Sequence, residues 1–342
     1  MSLKNLSAKI KIPKLLKVKL NNKRVKNIYT KFEKSLNLNK NFVVAVSGGP
    51  DSLALAFLSK IYSLKYKLSV DFLIIDHKLR HTSSSEAKKV QQVLKKYSID
   101  SKIIVWSGKK PTKNIQSIAR NKRYDLMFKR CKSLKVNNLV LGHHQDDLIE
   151  NFFLRLLRGS GLKGLISLEK ENKINGINLL RPLLYQKKED LIFIANYVFG
   201  FYINDPSNQD TKYKRTVVRK LIAELKNNGF DKNKFLKTID NLKYSDKVVS
   251  YYVNENLKKN TFFFKKKNKM IIQNMFFQQP EEVIFRGITE SIKLIGKKYY
   301  SVRGKKIEKI INDIKNKDKF KVTLGGCIIE KVNQTAIISK EH

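Results

Sequence analysis

From residue 42 the chain alternates short apolar runs with longer stretches of helical period. The runs lie at 43–46, 70–75, 103–106 and 139–141, and helical patterns follow at 52–63, 84–96, 115–134 and 145–158. Four strand–helix repeats of this size predict an α/β fold with a doubly wound parallel sheet. Ligands in such sheets sit beyond the carboxyl ends of the strands, so chemistry is expected from Ser47, Asp76, Ser107 and Gly142 onward.

After Arg181-Pro182 a helical pattern spans 189–199 and breaks at Asp205-Pro206-Ser207-Asn208. Residues 226–229 (Lys-Asn-Asn-Gly) read as a linker. Beyond it, helical stretches at 234–257, 280–295 and 305–315 are interleaved with short strand candidates at 262–264, 270–273, 320–324, 327–330 and 336–339. The expected organisation is a basic N-terminal extension (1–40), an α/β domain (41–220) and a smaller α+β C-terminal domain (221–342). No internal repeat is visible.

Charge changes this picture. Across 342 residues, 71 Lys+Arg face 29 Asp+Glu, a formal net charge of +42. Only 12 of the basic residues are Arg, a skew that A-rich codons would favour, yet those codons also favour Glu and the acids stay few. A polyanionic partner, nucleic acid above all, is the expected reason. The 42% hydrophobic content suffices for packed cores and argues against intrinsic disorder. No apolar run approaches a membrane span, and the Lys-studded start has no signal-peptide core. Cys131 and Cys327 supply neither a disulfide framework nor a CxxC site. A reduced, soluble, cytoplasmic protein without a membrane partner is expected, and the sequence is compatible with a homodimer.

The first strand runs into Ser47-Gly48-Gly49-Pro50-Asp51-Ser52 and then directly into a helix. Two glycines permit a tight turn that brings backbone N–H groups onto an anion, the serines add hydroxyls, and the helix N-terminus adds a favourable dipole. Pro50 suits an early helical position. An ordinary strand-to-helix turn has similar chemistry, but the place at a parallel strand's carboxyl end favours phosphate. It is not the kinase-type loop, because GxxxxGK[ST] is absent.

Asp76-His77-Lys78-Leu79-Arg80 follows the second run, and Gly142-His143-His144-Gln145-Asp146-Asp147 follows the fourth, with Glu150 a helical turn further on. Carboxylates at a nucleotide site suit Mg²⁺, which accepts one or two of them with phosphate oxygens and water, so Asp146 and Asp147 are the candidate Mg²⁺ ligands. The alternatives are a helix cap and, more remotely, zinc, for which the His pair lacks i, i+4 spacing. Gly159-Ser160-Gly161-Leu162-Lys163-Gly164 matches GxGxxG but follows a helix, so it reads as a helix stop and not as a dinucleotide fingerprint.

Together SGGPDS, DHKLR, the Ala119–Tyr124 segment AlaArgxxArgTyr, and GHHQDDLIENFFLRLLRGSGLKGL from Gly142 resemble the tRNA(Ile)-lysidine synthetase family of N-type ATP pyrophosphatases. Arg181-Pro182-Leu183-Leu184, Asp205-Pro206-Ser207-Asn208 and Thr323-Leu324-Gly325-Gly326-Cys327 resemble it too. The likeness is strong over 40–220 and weaker elsewhere, and the chain departs from the family pattern at Asn151 and Thr216. The resemblance implies ATP and Mg²⁺ as cofactors, and L-lysine and tRNA(Ile) with a CAU anticodon as partners. The cytidine C2 oxygen is adenylated, and the lysine amine then displaces AMP. It implies an ATP-binding set of Ser47, Gly48, Gly49, Pro50, Asp51 and Ser52. Asp51, Asp146, Asp147, Arg120 and Arg123 would be catalytic, with Asp76, His77, Arg80, His143 and His144 as further active-site candidates. Lys212, Lys214, Arg215 and Arg219 would meet tRNA, and the C-terminal domain would bind it.

The competing expectations are a tRNA-thiolating relative, a non-catalytic RNA-binding protein and a glutamine-fed nucleotide ligase. The thiolase is disfavoured by two widely separated cysteines, decay by the intact motifs, and the ligase by the lack of a second catalytic unit.

Overall fold

The computed structural model describes residues 13–108, 115–204, 214–297 and 302–341. The chain divides into two units, 1–231 and 232–342.

Unit one begins with α1 (Lys14–Leu20) and α2 (Lys23–Leu36). Although their lysines group them with the N-terminal extension, these helices belong to the core. Helical period gathers Val25, Ile28, Tyr29, Phe32 and Leu36 on one buried face of α2 and leaves its lysines on the other. Leu16 of α1 is fully buried in the same cluster.

The sheet follows. β1 (Phe42–Val46) leads to α3 (Pro50–Tyr66), β2 (Val70–Asp76) to α4 (Ser83–Lys96), and β3 (Ser101–Val105) to α5 (Ile115–Ser133). β4 (Asn138–Val140) leads to α6 (Gln145–Leu156) and the short α7 (Leu162–Leu165). β5 (Glu171–Ile174) and β6 (Ile177–Leu180) form a hairpin. Its two-residue turn is Asn175-Gly176, with both φ angles positive (50° and 82°), the pairing that such a tight hairpin requires. Then come α8 (Lys188–Ile194), one π turn (Ala195–Phe199) and α9 (Lys214–Asn227).

Strand order is β3-β2-β1-β4-β6-β5, parallel except for the β5–β6 hairpin. The doubly wound expectation is met, and the hairpin adds two strands to the four expected. β1, β-branched and almost wholly buried, sits in the middle, with Val43 paired to Asp71 on one side and Leu139 on the other. From β1 the chain winds outward to β2 and β3, and the connection from β3 then crosses back to β4 on the other side of β1. The crevice at the carboxyl ends of β1 and β4 is therefore the topological switch point.

The expected linker forms the end of α9 and a turn at Gly229 (φ 88°). The unit boundary falls after Asp231, beyond the expected 220, because α9 continues through the buried Ile222.

Unit two comprises α10 (Lys232–Asn260), β7 (Thr261–Phe264), β8 (Lys269–Ile272), α11 (Glu281–Gly296), α12 (Gly304–Asn316), β9 (Phe320–Leu324), β10 (Cys327–Val332) and β11 (Thr335–Lys340). The strands form an antiparallel sheet ordered β7-β8-β11-β10-β9. Met270, Ile272, Ile329 and Ile338 pack against Ile284, Ile288 and Ile292 of α11 and Ile307 and Ile310 of α12. Arg286, buried in α11, reaches Asp246 of α10 at 2.5 Å and Glu282 at 2.7 Å. Among the described residues, no helix is long and apolar enough to cross a membrane.

Candidate active site

The loop after β1 is organised by Ser52. Its Oγ accepts from the N–H groups of Ser47 (3.1 Å) and Gly48 (3.0 Å) and donates to the Gly49 carbonyl (2.9 Å). Two of the amides expected to meet an anion are thus already engaged. The Ser47 hydroxyl also donates to Ser52 Oγ at 3.2 Å, so what remains for a phosphate is the first-turn amides of α3, which lack carbonyl partners at any helix start. Pro50 opens that helix after Gly49 as its N-cap. Gly48 has φ +88°, and a Cβ there would lie 2.7 Å from Val90 and 2.8 Å from Ile203. Its carbonyl accepts from the Ile203 N–H at 2.9 Å, so the chain after the π turn closes against the loop.

The loop after β4 packs directly on α3. A Cβ at Gly142 would stand 3.3 Å from the Asp51 carbonyl oxygen. His144 then caps α6. Its Nδ1 accepts from the Asp146 N–H at 3.2 Å, and the Asp147 carboxylate accepts from the His144 N–H at 3.1 Å. This leaves Nε2 facing Asp51 Oδ2 at 3.5 Å and Asp147 Oδ2 at 3.6 Å. Burial opposes charge on His144, but the Asp51 hydrogen bond and the Asp147, Asp51 and Asp146 charges outweigh it and raise its pKa. Burial likewise opposes ionisation of Asp147, yet His144, His143 and Arg215 hold its carboxyl below the usual range. His143 is pushed strongly down, first by burial and then by the arginines around it, against the opposing charge of Asp147. Its Nδ1 is buried without a partner, as is Asp51 Oδ1.

At the end of β2, Asp76 is 3% exposed and serves the loop: Oδ1 accepts from the Lys78 N–H (2.9 Å) and Oδ2 from the Ser84 hydroxyl (2.6 Å). Arg80 pairs with Glu86 at 2.9 Å. Burial, then Arg123, push the His77 pKa down to about 4 against the pull of Asp76, and its Nδ1 has no partner. From α5, Arg120 and Arg123 face the same cleft, of about 290 Å³, which Ser47, Asp51, Ser52, Asp76, His77, Arg80 and His143 also line. Among the described residues Arg123 makes no ion pair. Burial, with Arg120 and Arg215 adding to it, pushes its pKa down. A half-buried guanidinium crowded by others is positioned for an anion.

Glu150, 5% exposed, was noted in the sequence only as lying a turn beyond the Asp pair; its role there was missed. It accepts from Arg219 Nε at 2.6 Å and from Arg215 Nε at 3.0 Å, and Arg215 reaches Asp147 at 3.5 Å. Both arginines expected to meet tRNA, Arg215 and Arg219, are therefore docked on α6 beside the carboxylate pair. The available signal was spacing, with Glu150 a turn past Asp147 and the arginines four apart on α9. Lys214 is exposed at the start of α9. Lys212 and the Asp205–Asn208 segment lie outside the described residues.

Neither cysteine enters the cleft lining. Cys131 is buried in the core beside Val43, Leu73 and Met127, where burial pushes its thiol up to about 11, and Cys327 is buried in unit two. Among the described residues, no group of three or more His, Cys, Asp and Glu side chains is placed to hold a metal ion by itself.

Comparison with known proteins agrees with this geometry. The PP-loop domain family matches residues 19–225. A curated tRNA(Ile)-lysidine synthase of Wolbachia pipientis wMel is 34% identical over 306 residues, covering 89% of this chain and 71% of its own length. That of Orientia tsutsugamushi is 35% identical over 315 residues, covering 89% and 70%. The solved U34-tRNA thiolase of Methanococcus maripaludis superposes with TM-score 0.56 at 18% identity, over 64% of this chain and 78% of its own, a likeness of fold alone.

Proposed function

Because this chain belongs to the tRNA(Ile)-lysidine synthase family, built on a PP-loop domain, we propose that its cleft joins L-lysine to a cytidine of tRNA(Ile) in two ATP-dependent steps. The observation that carries the reading is the meeting, across the β1/β4 switch point, of an anion-binding helix start with a carboxylate–arginine cluster. The first suits a nucleotide's phosphates and the second an amine nucleophile.

In the first step the C2 oxygen of the wobble cytidine of a CAU anticodon attacks the α-phosphorus of ATP, and the bond to pyrophosphate breaks. Unpaired loop bases can be splayed into a pocket at modest cost. The first-turn amides of α3, with the Ser47 hydroxyl turned away from Ser52, hold phosphate oxygens, and Arg120 and Arg123 stabilise the negative charge that develops. In the second step the lysine ε-nitrogen bonds to C2, the C2–O bond breaks, and AMP leaves with the electron pair. AMP is a far better leaving group than the oxygen of an unactivated carbonyl. A carboxylate of the Asp146–Asp147 pair orients the amine and takes its proton, because an ammonium cannot attack. The product is a carbon–nitrogen ligation of the kind carried out on tRNA in the cytoplasm.

The residues present fit a magnesium ion arriving with the nucleotide. Asp51 Oδ1 is buried and unpartnered, and one or two carboxylates with phosphate oxygens complete such a site. Asp147 already faces the His144 amide and Arg215, which turns the metal-facing role toward Asp51 with Asp146. Bound there, the ion would neutralise phosphate charge.

The thiolase reading lacks its reactive sulfur, since neither cysteine enters the cleft lining and the Cys131 thiol is held protonated. The reading is tested by pyrophosphate release. It should require both ATP and the tRNA, and Asp51→Ala should abolish it with folding intact; near-normal release from that variant would remove the role given to the loop.

A further inference from the structure

The sheet of unit two has two unlike faces. Met270 and Ile272 of β8, Ala336 and Ile338 of β11, and Ile329 of β10 point to the face that α11 and α12 cover. The alternate positions point the other way, and among the described residues Phe262, Phe264, Ile271 and Ile337 do not join that core. Cross-strand register puts Phe262 beside Ile271 and Ile271 beside Ile337, and in the next row puts Phe264 beside Lys269. Phe262 and Phe264 thus stand on the open face, 53% and 48% exposed. Large rings left side by side in water are unfavourable unless something uses them.

Their surroundings say what. β7 is an edge strand, and Lys265, Lys266 and Lys267 form the exposed turn that immediately follows it. No acidic residue occurs between Glu255 and Glu281. Lysines alone would be ordinary protection of an edge strand against pairing with another. That explanation accounts for the charge and not for the two rings on the open face. Aromatic rings on a sheet surface with flanking cations are the elements of single-strand nucleic-acid binding, in which bases stack on rings and phosphates meet lysines. Alternate positions on a strand are about 7 Å apart, room for two successive unstacked bases, one to each ring.

We propose that Phe262 and Phe264, with Lys265, Lys266, Lys267 and Lys269, form a stacking site for unpaired nucleotides of the tRNA substrate, separate from the cleft at the β1/β4 switch point. The site rests on the reading given above for that cleft and supplies affinity, not chemistry. A duplex would offer these rings no exposed base face, so the nucleotides held here are unpaired ones.

The test uses the full chain and a tRNA(Ile) transcript. Replacing both rings by Leu (F262L with F264L) keeps their apolar bulk and should weaken tRNA binding at least ten-fold. F262Y with F264Y should bind within about two-fold of the unaltered chain. Both variants should keep the same turnover at saturating tRNA. Lys265, Lys266 and Lys267 changed together to Gln should lower the slope of log affinity against log salt by about 2, at roughly 0.7 per phosphate released. Unchanged affinity in the Leu variant overturns the inference, and so does a change in self-association with affinity intact, which would make this face a contact between copies. If the Leu variant is destabilised, the salt slope of the Gln variant and the binding of the Tyr variant decide. Lysine transfer by the unaltered chain is measured alongside. Its absence overturns the reading of the cleft, whereas its presence with unchanged Leu-variant binding overturns the stacking site alone.

Discussion

His144 and Asp51 face one another across the switch point, Nε2 to Oδ2 at 3.5 Å, joining the cap of α6 to the first turn of α3. One imidazole thereby serves two purposes: Nδ1 satisfies a helix-start amide, and Nε2 faces the loop that would hold phosphate. The two can be separated. His144→Ala should cost about 1–2 kcal/mol of stability through the lost cap and reduce lysine transfer more than ten-fold. His144→Asn restores an N-cap oxygen and should recover most of the stability, but not the activity, because it does not rebuild the link to Asp51. Urea unfolding and lysine transfer on the same samples check both halves.

Gly48→Ala should disable the loop. The backbone there is at φ +88°, and the added methyl would lie within 2.8 Å of Val90 and Ile203. Strain and overlap together should cost about 1–3 kcal/mol and weaken nucleotide binding by an order of magnitude or more, read by ATP titration.

Glu150→Gln removes the charge that holds Arg215 and Arg219. Both arginines are part-exposed and can turn to water, so the stability loss should stay at about 1–3 kcal/mol, below the cost of stranding a buried charge. Lysine transfer should fall by more than ten-fold, because Arg215 is no longer fixed beside Asp147. Transfer at the normal rate would show that the arginines need no such anchor.

His77 sets an acid limit on stability. Its folded-state pKa lies near 4, below the ordinary value of 6.5. Between these values the unfolded chain takes a proton that the folded chain refuses, so stability falls as pH drops from about 6.5 toward 4. The slope contributed is at most about 1.4 kcal/mol per pH unit, and less where solvent reaches the ring. Unfolding midpoints should drop over this window, and His77→Gln should flatten the decline.

Much of this arrangement is written in the chain. Apolar runs separated by helix-length segments were enough for the four parallel strands, and five short runs after residue 260 were enough for the second sheet. What escaped the pattern escaped for physical reasons. β5 is a half-exposed edge strand and β6, though buried, is only four residues long, although Asn175-Gly176 marks their turn. α1 and α2 were hidden by lysines that occupy only their outer faces. In the site, strand-end positions located Ser47, Asp51, Asp76 and His143 because topology alone brings such residues together. Asp76 turned out to be bound within its own loop, and Ser52 to engage the amides of Ser47 and Gly48. Neither could be read without side-chain geometry. The pairing of Glu150 with Arg215 joins residues 65 apart, and no local pattern reports such a contact.

The most direct test of the central claim is transfer of labelled lysine. The full chain is incubated with ATP, Mg²⁺ and labelled L-lysine, and with tRNA bearing either a CAU anticodon or a changed first anticodon base. The account predicts label in the CAU tRNA alone, in proportion to AMP and pyrophosphate released, and none with Asp51→Ala. Label that stays out of that tRNA while another amino acid or sulfur enters it would contradict the account.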